Sequence, residues 1–273
     1  MPEVQTIVSD LNEHIRKWNI NKVCIANGYK KIPDIEGFRK NTEGKTILAV
    51  ERIGKNILIK LSSGNFIRIH LAMTGRILLR NLNTPEDRWT KVVFSLSKEN
   101  VKKELKFTDP RMFGKTEVVD SPGVDLLRKK YGPEPVGKVI KPEEFLKLIK
   151  SKKTNLKNFL LDQKKISGLG NIYATEALFL AKTNPQTHTS KLGLKEAKNL
   201  LAAAEKVLSE GIANRGSTLT DRSYVDIFGK EGSHQNHFKI YMKKVCPRCS
   251  SKVSFIKLNG RGTYFCPNCQ PLK

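Results

Sequence analysis

Acidic residues are the scarce class in this 273-residue chain: 26 Asp and Glu face 50 Lys and Arg, a formal net charge of +24. No run of eighteen apolar residues occurs, which excludes a membrane-spanning helix of ordinary length. The opening Met1-Pro2-Glu3-Val4-Gln5 lacks the basic-then-apolar pattern of an export signal, so a soluble, cytoplasmic protein is expected. Neither an internal repeat nor a low-complexity tract is present. Apolar residues make up 38% and Gly plus Pro only 31 residues, so a normal globular core is expected and disorder is not. The length suits two domains and an appendage.

The positive excess is not confined to a tail. Beyond residue 140 there are 24 basic and 10 acidic residues, and the first 140 carry the remaining net charge of +10. Lysine on solvated faces accounts for part of any such composition. Basic character in both halves also suits a polyanion, such as nucleic acid, lying across both.

Four of the five cysteines form two pairs, Cys246-Pro-Arg-Cys249 and Cys266-Pro-Asn-Cys269, separated by sixteen residues. Two knuckles at this spacing bring four thiolates to one tetrahedral zinc ion at about 2.3 Å. All four positions are filled by protein, so the zinc is expected to be structural. A disulfide framework is the other reading, and a cytosolic chain disfavours it. Cys24, between Val23 and Ile25, reads as an ordinary buried thiol.

Along the chain, Val4, Ile7, Val8, Leu11, Ile15 and Trp18 recur at helical spacing and predict a first amphipathic helix. From about 22 to 120 the pattern changes to short β-type runs, such as 46–50, 57–61, 66–70 and 92–96, which predict an antiparallel sandwich or barrel. Breaker-rich clusters at Asp120-Ser121-Pro122-Gly123 and Gly132-Pro133-Glu134-Pro135 suggest a linker. Helices are expected at 142–151, 154–163, 172–182 and 192–210, then a long Gly- and Ser-rich loop over 212–238 and the zinc hairpin. The expected fold is α+β. An antiparallel sandwich domain with the leading helix spans 1–122, a linker 123–136, a helical domain with the long loop 137–232, and a zinc finger 233–273.

Five motifs in this order resemble the formamidopyrimidine-DNA glycosylases, with the related endonuclease VIII enzymes behind them. They are His70-Leu71-Ala72-Met73-Thr74-Gly75, Thr108-Asp109-Pro110-Arg111-Met112-Phe113-Gly114, Tyr131-Gly132-Pro133-Glu134-Pro135, Gly168-Leu169-Gly170-Asn171-Ile172-Tyr173-Ala174 and the zinc hairpin carrying Arg261. The resemblance covers essentially the whole chain, and it implies that the β-sandwich over 1–122 is catalytic and that 137–232 is a helix–two-turns–helix DNA-binding domain with a long lesion-capping loop, followed by the four-cysteine zinc finger. It implies a bacterial base-excision-repair enzyme of the cytoplasm or nucleoid, a monomer acting on damaged double-stranded DNA without a membrane. The expected activity is that of a bifunctional glycosylase and abasic-site lyase for oxidised purines (formamidopyrimidine, 8-oxoguanine). The same fold acting on oxidised pyrimidines, as endonuclease VIII does, and a non-catalytic binder of damaged DNA remain alternatives. The 108–111 run and the 216–233 loop, which resembles a purine-capping loop, argue against the pyrimidine reading.

Site residues follow from the same resemblance. Removing a base requires extruding its nucleotide and filling the hole, and Met73, Arg111 and Phe113 match the fillers. As residue types, Met73 and Phe113 equally suit a core, although both lie next to turn glycines. Asn171 and Lys152 match phosphate-binding residues. Glycines before a helix allow close approach to phosphate, while Gly-x-Gly-Asn alone equally fits an ordinary helix connection. The lysines around 152–165 add a salt-dependent phosphate attraction. Lys55 matches a lysine that assists at lesion and sugar; without its neighbours it reads as a solvated turn lysine. Arg261 matches the finger arginine that contacts phosphate and assists the second elimination. Met112 stands where a second Arg is usual and Trp89 where a His is common, which alters the phosphate contacts expected there.

The nucleophile in the family is an N-terminal proline amine with an adjacent Glu as acid/base. A terminal amine loses its proton far more readily than a lysine. The family opens Met-Pro-Glu-Leu-Pro-Glu-Val, so Pro2 and Glu3 align with the second Pro-Glu pair and Met1 with the Leu, as a miscalled start would leave them. If the chain begins as written, removal of Met1 exposes Pro2 beside Glu3, and these two are the candidate catalytic pair.

Overall fold

Val4, Ile7, Val8, Leu11 and Ile15 place one apolar stripe on α1 (Pro2–Ile15), and Ile7, Leu11 and Ile15 are fully buried. This is seen in a computed structural model that describes residues 1–82, 84–85, 87–137 and 139–272. The chain divides into two units: Met1–Pro2, Lys130–Asn214 and His234–Lys273 form one, and Glu3–Lys129 with Arg215–Ser233 the other.

The second of these holds two four-stranded antiparallel sheets. One has the order β1 (Asn19–Ile25), β6 (Thr90–Lys98), β7 (Val101–Thr108), β5 (Arg76–Asn81). The other runs β2 (Ile47–Ile53), β3 (Asn56–Leu61), β4 (Phe66–His70), β8 (Lys115–Val119). Alternation along β6 buries Val92, Phe94 and Leu96, which join Ile57, Ile59, Ile67 and Ile69 of the other sheet in one core. Each such side chain contributes about 1.5–3 kcal/mol by leaving water. The sandwich expected from the β-type runs is therefore present, with α1 part of the same core.

Three local readings change. Helix α2 (Ile35–Thr42) interrupts the β region, started by Asp34, whose carboxylate accepts from Gly37 N at 2.8 Å. The cluster 120–123, expected to open a linker, opens helix α3 (Ser121–Lys129) instead. Asp120 accepts from Gly123 N at 2.8 Å there, and Pro122 sits in the first turn, where its missing N–H costs nothing. Cys24 is exposed, because Val23 takes the inward position of β1 and its neighbour must point out.

Segment 215–233 belongs with the sandwich. Arg215 donates to Asp10 at 3.1 and 2.6 Å and to Asp226 at 2.7 Å, which ties the segment to α1. The two carboxylates raise the already high pKa of the guanidinium further.

The other unit is helical. It contains α4 (Pro142–Lys150), α5 (Leu156–Leu161), α6 (Asn171–Leu180) and α7 (Leu194–Ala213), followed by the hairpin of β9 (Ser254–Leu258) and β10 (Arg261–Phe265). Residues 173–179 of α6 are all buried, so this helix has no solvated face. Its Glu176 is 2% exposed and accepts from the backbone N–H groups of Lys239, Ile240 and Tyr241 at 2.7, 2.9 and 2.7 Å. Arg248 donates to the Phe179 and Leu180 carbonyls at 2.6 and 3.2 Å, a cation placed on the orphan acceptors of the helix C-terminus. Gln270 closes the attachment by donating to Thr183 O at 2.8 Å and accepting from Cys266 N at 3.0 Å.

Candidate nucleic-acid interface and metal centre

In the sandwich, the proposed void fillers occupy two loops. Met73 lies between β4 and β5, and Arg111 and Phe113 between β7 and β8. Met73 and Phe113 are each 61% exposed, which removes the alternative that they are core residues. Arg111 is exposed as well. Both loops contain a non-glycine residue with left-handed backbone beside the tip: Ala72 at φ 53° and Met112 at φ 54°. Gly75 and Gly114 close the loops against Phe107. A Cβ on Gly75 would lie 2.5 Å from the Leu71 carbonyl, and one on Gly114 would lie 2.6 Å from the Phe107 ring.

One buried carboxylate connects these loops. Asp109 accepts from Thr74 Oγ1 at 2.7 Å, from Arg111 N at 3.3 Å and from Gly114 N at 2.7 Å. Its own N–H donates to the carbonyl of Trp89 at 3.0 Å. Tyr29 adds a bond to Gly114 O at 3.2 Å, and burial, with the Asp109 charge, pushes its phenol up to about 12, so it remains a donor. Asp109 lies within a motif visible in the sequence, but its bonding pattern is tertiary and no local signal announces it.

Lys55 sits half-buried in the β2–β3 turn, beside the left-handed Gly54 at φ 57°. His70, whose Nδ1 accepts from Ala72 N at 3.2 Å, has its pKa lowered by burial and by the charges of Arg68 and Lys55. The imidazole is therefore neutral and its other nitrogen carries the proton. Glu3 accepts from Ser217 N at 3.2 Å, which joins the start of α1 to the loop at 215–233.

In the helical unit, Asn171 opens α6 after Gly170, which offers no side-chain cap. Asn171 Nδ2 donates to Gly262 O at 3.0 Å, placing it next to the exposed Arg261 at the head of β10. These two candidates are thus brought together, and Asn171 Oδ1 is buried without a partner among the described residues. Lys152 is exposed and ion-paired with Asp162. Lys157, one of the lysines expected to add phosphate attraction, is fully buried instead. Its Nζ donates to Asn171 O at 2.7 Å and to Thr175 Oγ1, and burial pushes its pKa down to about 7.

Pro2 is buried in the first turn of α1, its nitrogen in a peptide bond, and Met1 is 3% exposed within the helical core. A Cβ on Gly211 would lie 2.8 Å from the Pro2 ring. An amine at Pro2 therefore requires removing a side chain from that core.

The four cysteine sulfurs all lie within 4.8 Å of one another. Cys246 and Cys269 are 3.8 Å apart and Cys249 and Cys266 3.5 Å apart. Tetrahedral zinc with bonds of about 2.3 Å needs sulfur separations of about 3.8 Å, so the donor set fits the ion. Its function is to hold the hairpin, since no coordination position is left for water.

Family models match along the chain: the formamidopyrimidine-DNA glycosylase N-terminal domain over residues 1–116, its H2TH domain over 131–223, and the zinc finger found in FPG and IleRS over 243–272. The formamidopyrimidine-DNA glycosylase of Pelotomaculum thermopropionicum is 36% identical, with 100% of this chain and 99% of that protein covered. That of Carboxydothermus hydrogenoformans is 37% identical, covering 99% and 98%. Among solved structures, the Lactococcus lactis Fpg in complex with abasic-site DNA superposes with a TM-score of 0.90 at 30% identity, covering 99% of each chain. No helix among the described residues is long and apolar enough to cross a membrane. With similarity of this degree running from end to end, the chain belongs to the formamidopyrimidine-DNA glycosylase family.

Proposed function

We propose that this protein is a bifunctional DNA glycosylase and abasic-site lyase of base excision repair, acting on oxidised purines in duplex DNA. The whole-length similarity to formamidopyrimidine-DNA glycosylases carries the reading. A mutant of the Lactococcus lactis protein bound to Fapy-dG DNA gives a TM-score of 0.90 with this chain. Met73 and Phe113 suit the filling of a vacated stack, because both are apolar, exposed and carried on loops hydrogen-bonded to Asp109. Arg111 would face the orphaned base. Asn171, Arg261 and Lys152 would address phosphates, with affinity falling as salt rises.

In the reaction proposed, a neutral amine attacks C1′ of the damaged nucleotide and the base leaves with a proton. The amine and the opened sugar then form a Schiff base, from which loss of the C2′ proton expels the 3′ phosphate and a second elimination expels the 5′ phosphate. Lys55 would assist at lesion and sugar, and Arg261 in the second elimination. An N-terminal proline supplies the amine, with Glu as acid/base. Pro2 and Glu3 are the pair in the chain as written.

Borohydride trapping on abasic-site duplex tests this, because reduction of the Schiff base leaves a stable adduct. The chain as written is compared with one in which Met-Pro-Glu precedes residue 1 and Met1 is replaced by Leu. An adduct mapped to the terminal proline of either form supports the reading and identifies the catalytic pair. An adduct on Lys55 retains the lyase and reassigns its nucleophile. Tight binding with no adduct in either form favours a non-catalytic damage binder.

A further inference from the structure

Tyr29 belongs to none of the five motifs, yet its side chain reaches one of them. It lies between β1 and α2, in a turn where its N–H donates to Ala26 O at 3.1 Å and Gly28 takes φ 76°. Ala26 N donates in turn to Lys91 O at 2.8 Å, which fastens the turn to β6. The Tyr29 ring is 4% exposed and packs on Phe107, with centroids 6.4 Å apart at 58°. Its hydroxyl crosses to the β7–β8 loop and donates to Gly114 O at 3.2 Å. Burial pushes the phenol up to about 12, so it stays a donor across the physiological range.

Gly114 is thereby held through both of its backbone polar groups, since its N–H donates to Asp109 at 2.7 Å. A Cβ on it would lie 2.6 Å from Phe107, 3.0 Å from the Asp109 carboxylate and 3.1 Å from the His70 carbonyl, so the residue is boxed in as well as bonded. The residue before it is Phe113, whose exposed ring gains little support from packing. Arg111 and Met112, on the other side, are exposed too. The aim of the Phe113 ring is therefore set through the Gly114 peptide, and Tyr29 holds the carbonyl end of that residue. The Met73 loop is tied differently, through Thr74 to Asp109, and among the described residues Tyr29 makes no hydrogen bond to it.

Resting on the reading that this protein extrudes damaged bases from duplex DNA, we propose that Tyr29 is a positioning residue for Phe113, acting through the Gly114 carbonyl. Without the hydroxyl, the Gly114 peptide is free to tilt and the Phe113 ring meets the stack out of line. The step served is base extrusion, in which a base must be displaced while its place is filled. An abasic site holds no base to displace, so its cleavage does not draw on Tyr29.

Tyr29→Phe keeps the ring on Phe107 and removes only the donor. It is made in whichever form of the chain gives the borohydride adduct. Single-turnover excision from an 8-oxoguanine duplex should slow about threefold to tenfold, the scale of one hydrogen bond. Cleavage of an abasic-site duplex should stay within about twofold of the unsubstituted protein. Fluorescence of 2-aminopurine beside the lesion, which reports unstacking before any bond breaks, should slow by the same factor as excision. In a Phe113→Ala background Tyr29→Phe should have almost no further effect on excision, whereas in a Met73→Ala background its full factor should remain. Unchanged excision in Tyr29→Phe overturns the proposal, as does a full effect in the Phe113→Ala background. Equal slowing of abasic-site cleavage assigns Tyr29 to general stability and overturns it as well. Absence of excision by the unsubstituted protein refutes the glycosylase reading itself.

Discussion

Asp109 in the sandwich and Glu176 in the helical unit are both buried carboxylates whose acceptor capacity is filled by donors from other parts of the chain, yet they support opposite kinds of structure. Glu176 receives three successive backbone N–H groups, 239–241, and so fastens the segment leading to the cysteine hairpin onto a helix with no solvated face. Asp109 receives one hydroxyl and two N–H groups from two loops and donates to a third, and what it holds is exposed and apolar. The same chemistry serves attachment in one place and aim in the other. Removing the first should therefore appear as lost stability, and removing the second as lost recognition.

The largest expected effect is that of the metal, which belongs to the attachment side alone. Cys246→Ser, or stripping by a chelator, should unfold the hairpin and abolish DNA binding, because apparent zinc affinities of about 10–16 kcal/mol become folding energy in such modules. Metal analysis should find one equivalent in the native protein; a value well below one would contradict the four-cysteine site. Near-ultraviolet signals of the sandwich should persist after stripping.

Next in size is the exchange of the two carboxylates for amides. Glu176→Gln presents an amide donor to backbone N–H groups and should cost about 2–4 kcal/mol, read by denaturant unfolding. Asp109→Asn should cost less in Tm but lower base excision in proportion to Met73→Ala and Phe113→Ala. Those two tip variants should keep Tm within about 1–2 °C, as exposed substitutions do. If Asp109→Asn leaves excision intact, the contrast between attachment and aim fails.

The smallest effect is a pH dependence confined to the helical unit. Burial holds Lys157 at about 7, against 10.5 in the unfolded chain. Between these values the unfolded chain binds a proton that the folded one lacks, so stability rises with pH from about 7 toward 10, and the gain is absent below 7. Native protein should gain less than about 2 kcal/mol between pH 7 and 8.5, and Lys157→Met should remove that rise. Parallel Tm curves for the two proteins would contradict the buried neutral lysine.

What could be read in advance depended on range along the chain. The zinc ligands lie within twenty-four residues and follow a fixed spacing, so they were legible down to the residue. Helices with a long apolar period and the alternating strand β6 were legible for the same reason. Asp120-Ser121-Pro122-Gly123 misled because breakers that end one element also start the next, and only the Asp120 bond to Gly123 distinguishes the two. Cys24 misled because two apolar neighbours conceal which way a strand alternates. Asp109 and Glu176 stood in plain view as residues, but their importance lies in donors up to 65 residues away. Nor can a linear boundary express that 215–233 joins the sandwich while residues on either side do not.

Ala72 and Met112 keep left-handed backbone without being glycine, and this bears on the entropy of association. Glycine at either position would fit the conformation without the steric penalty, and it would also let the free loop sample several others. With a Cβ present, the conformers that compete with the observed one are fewer, and less freedom remains to be lost when a ligand arrives. A version of this protein stabilised by glycines beside Met73 and Phe113 would therefore resist heat at least as well. It would hold its ligand less tightly, by the ordering that its loops would then have to undergo at each encounter.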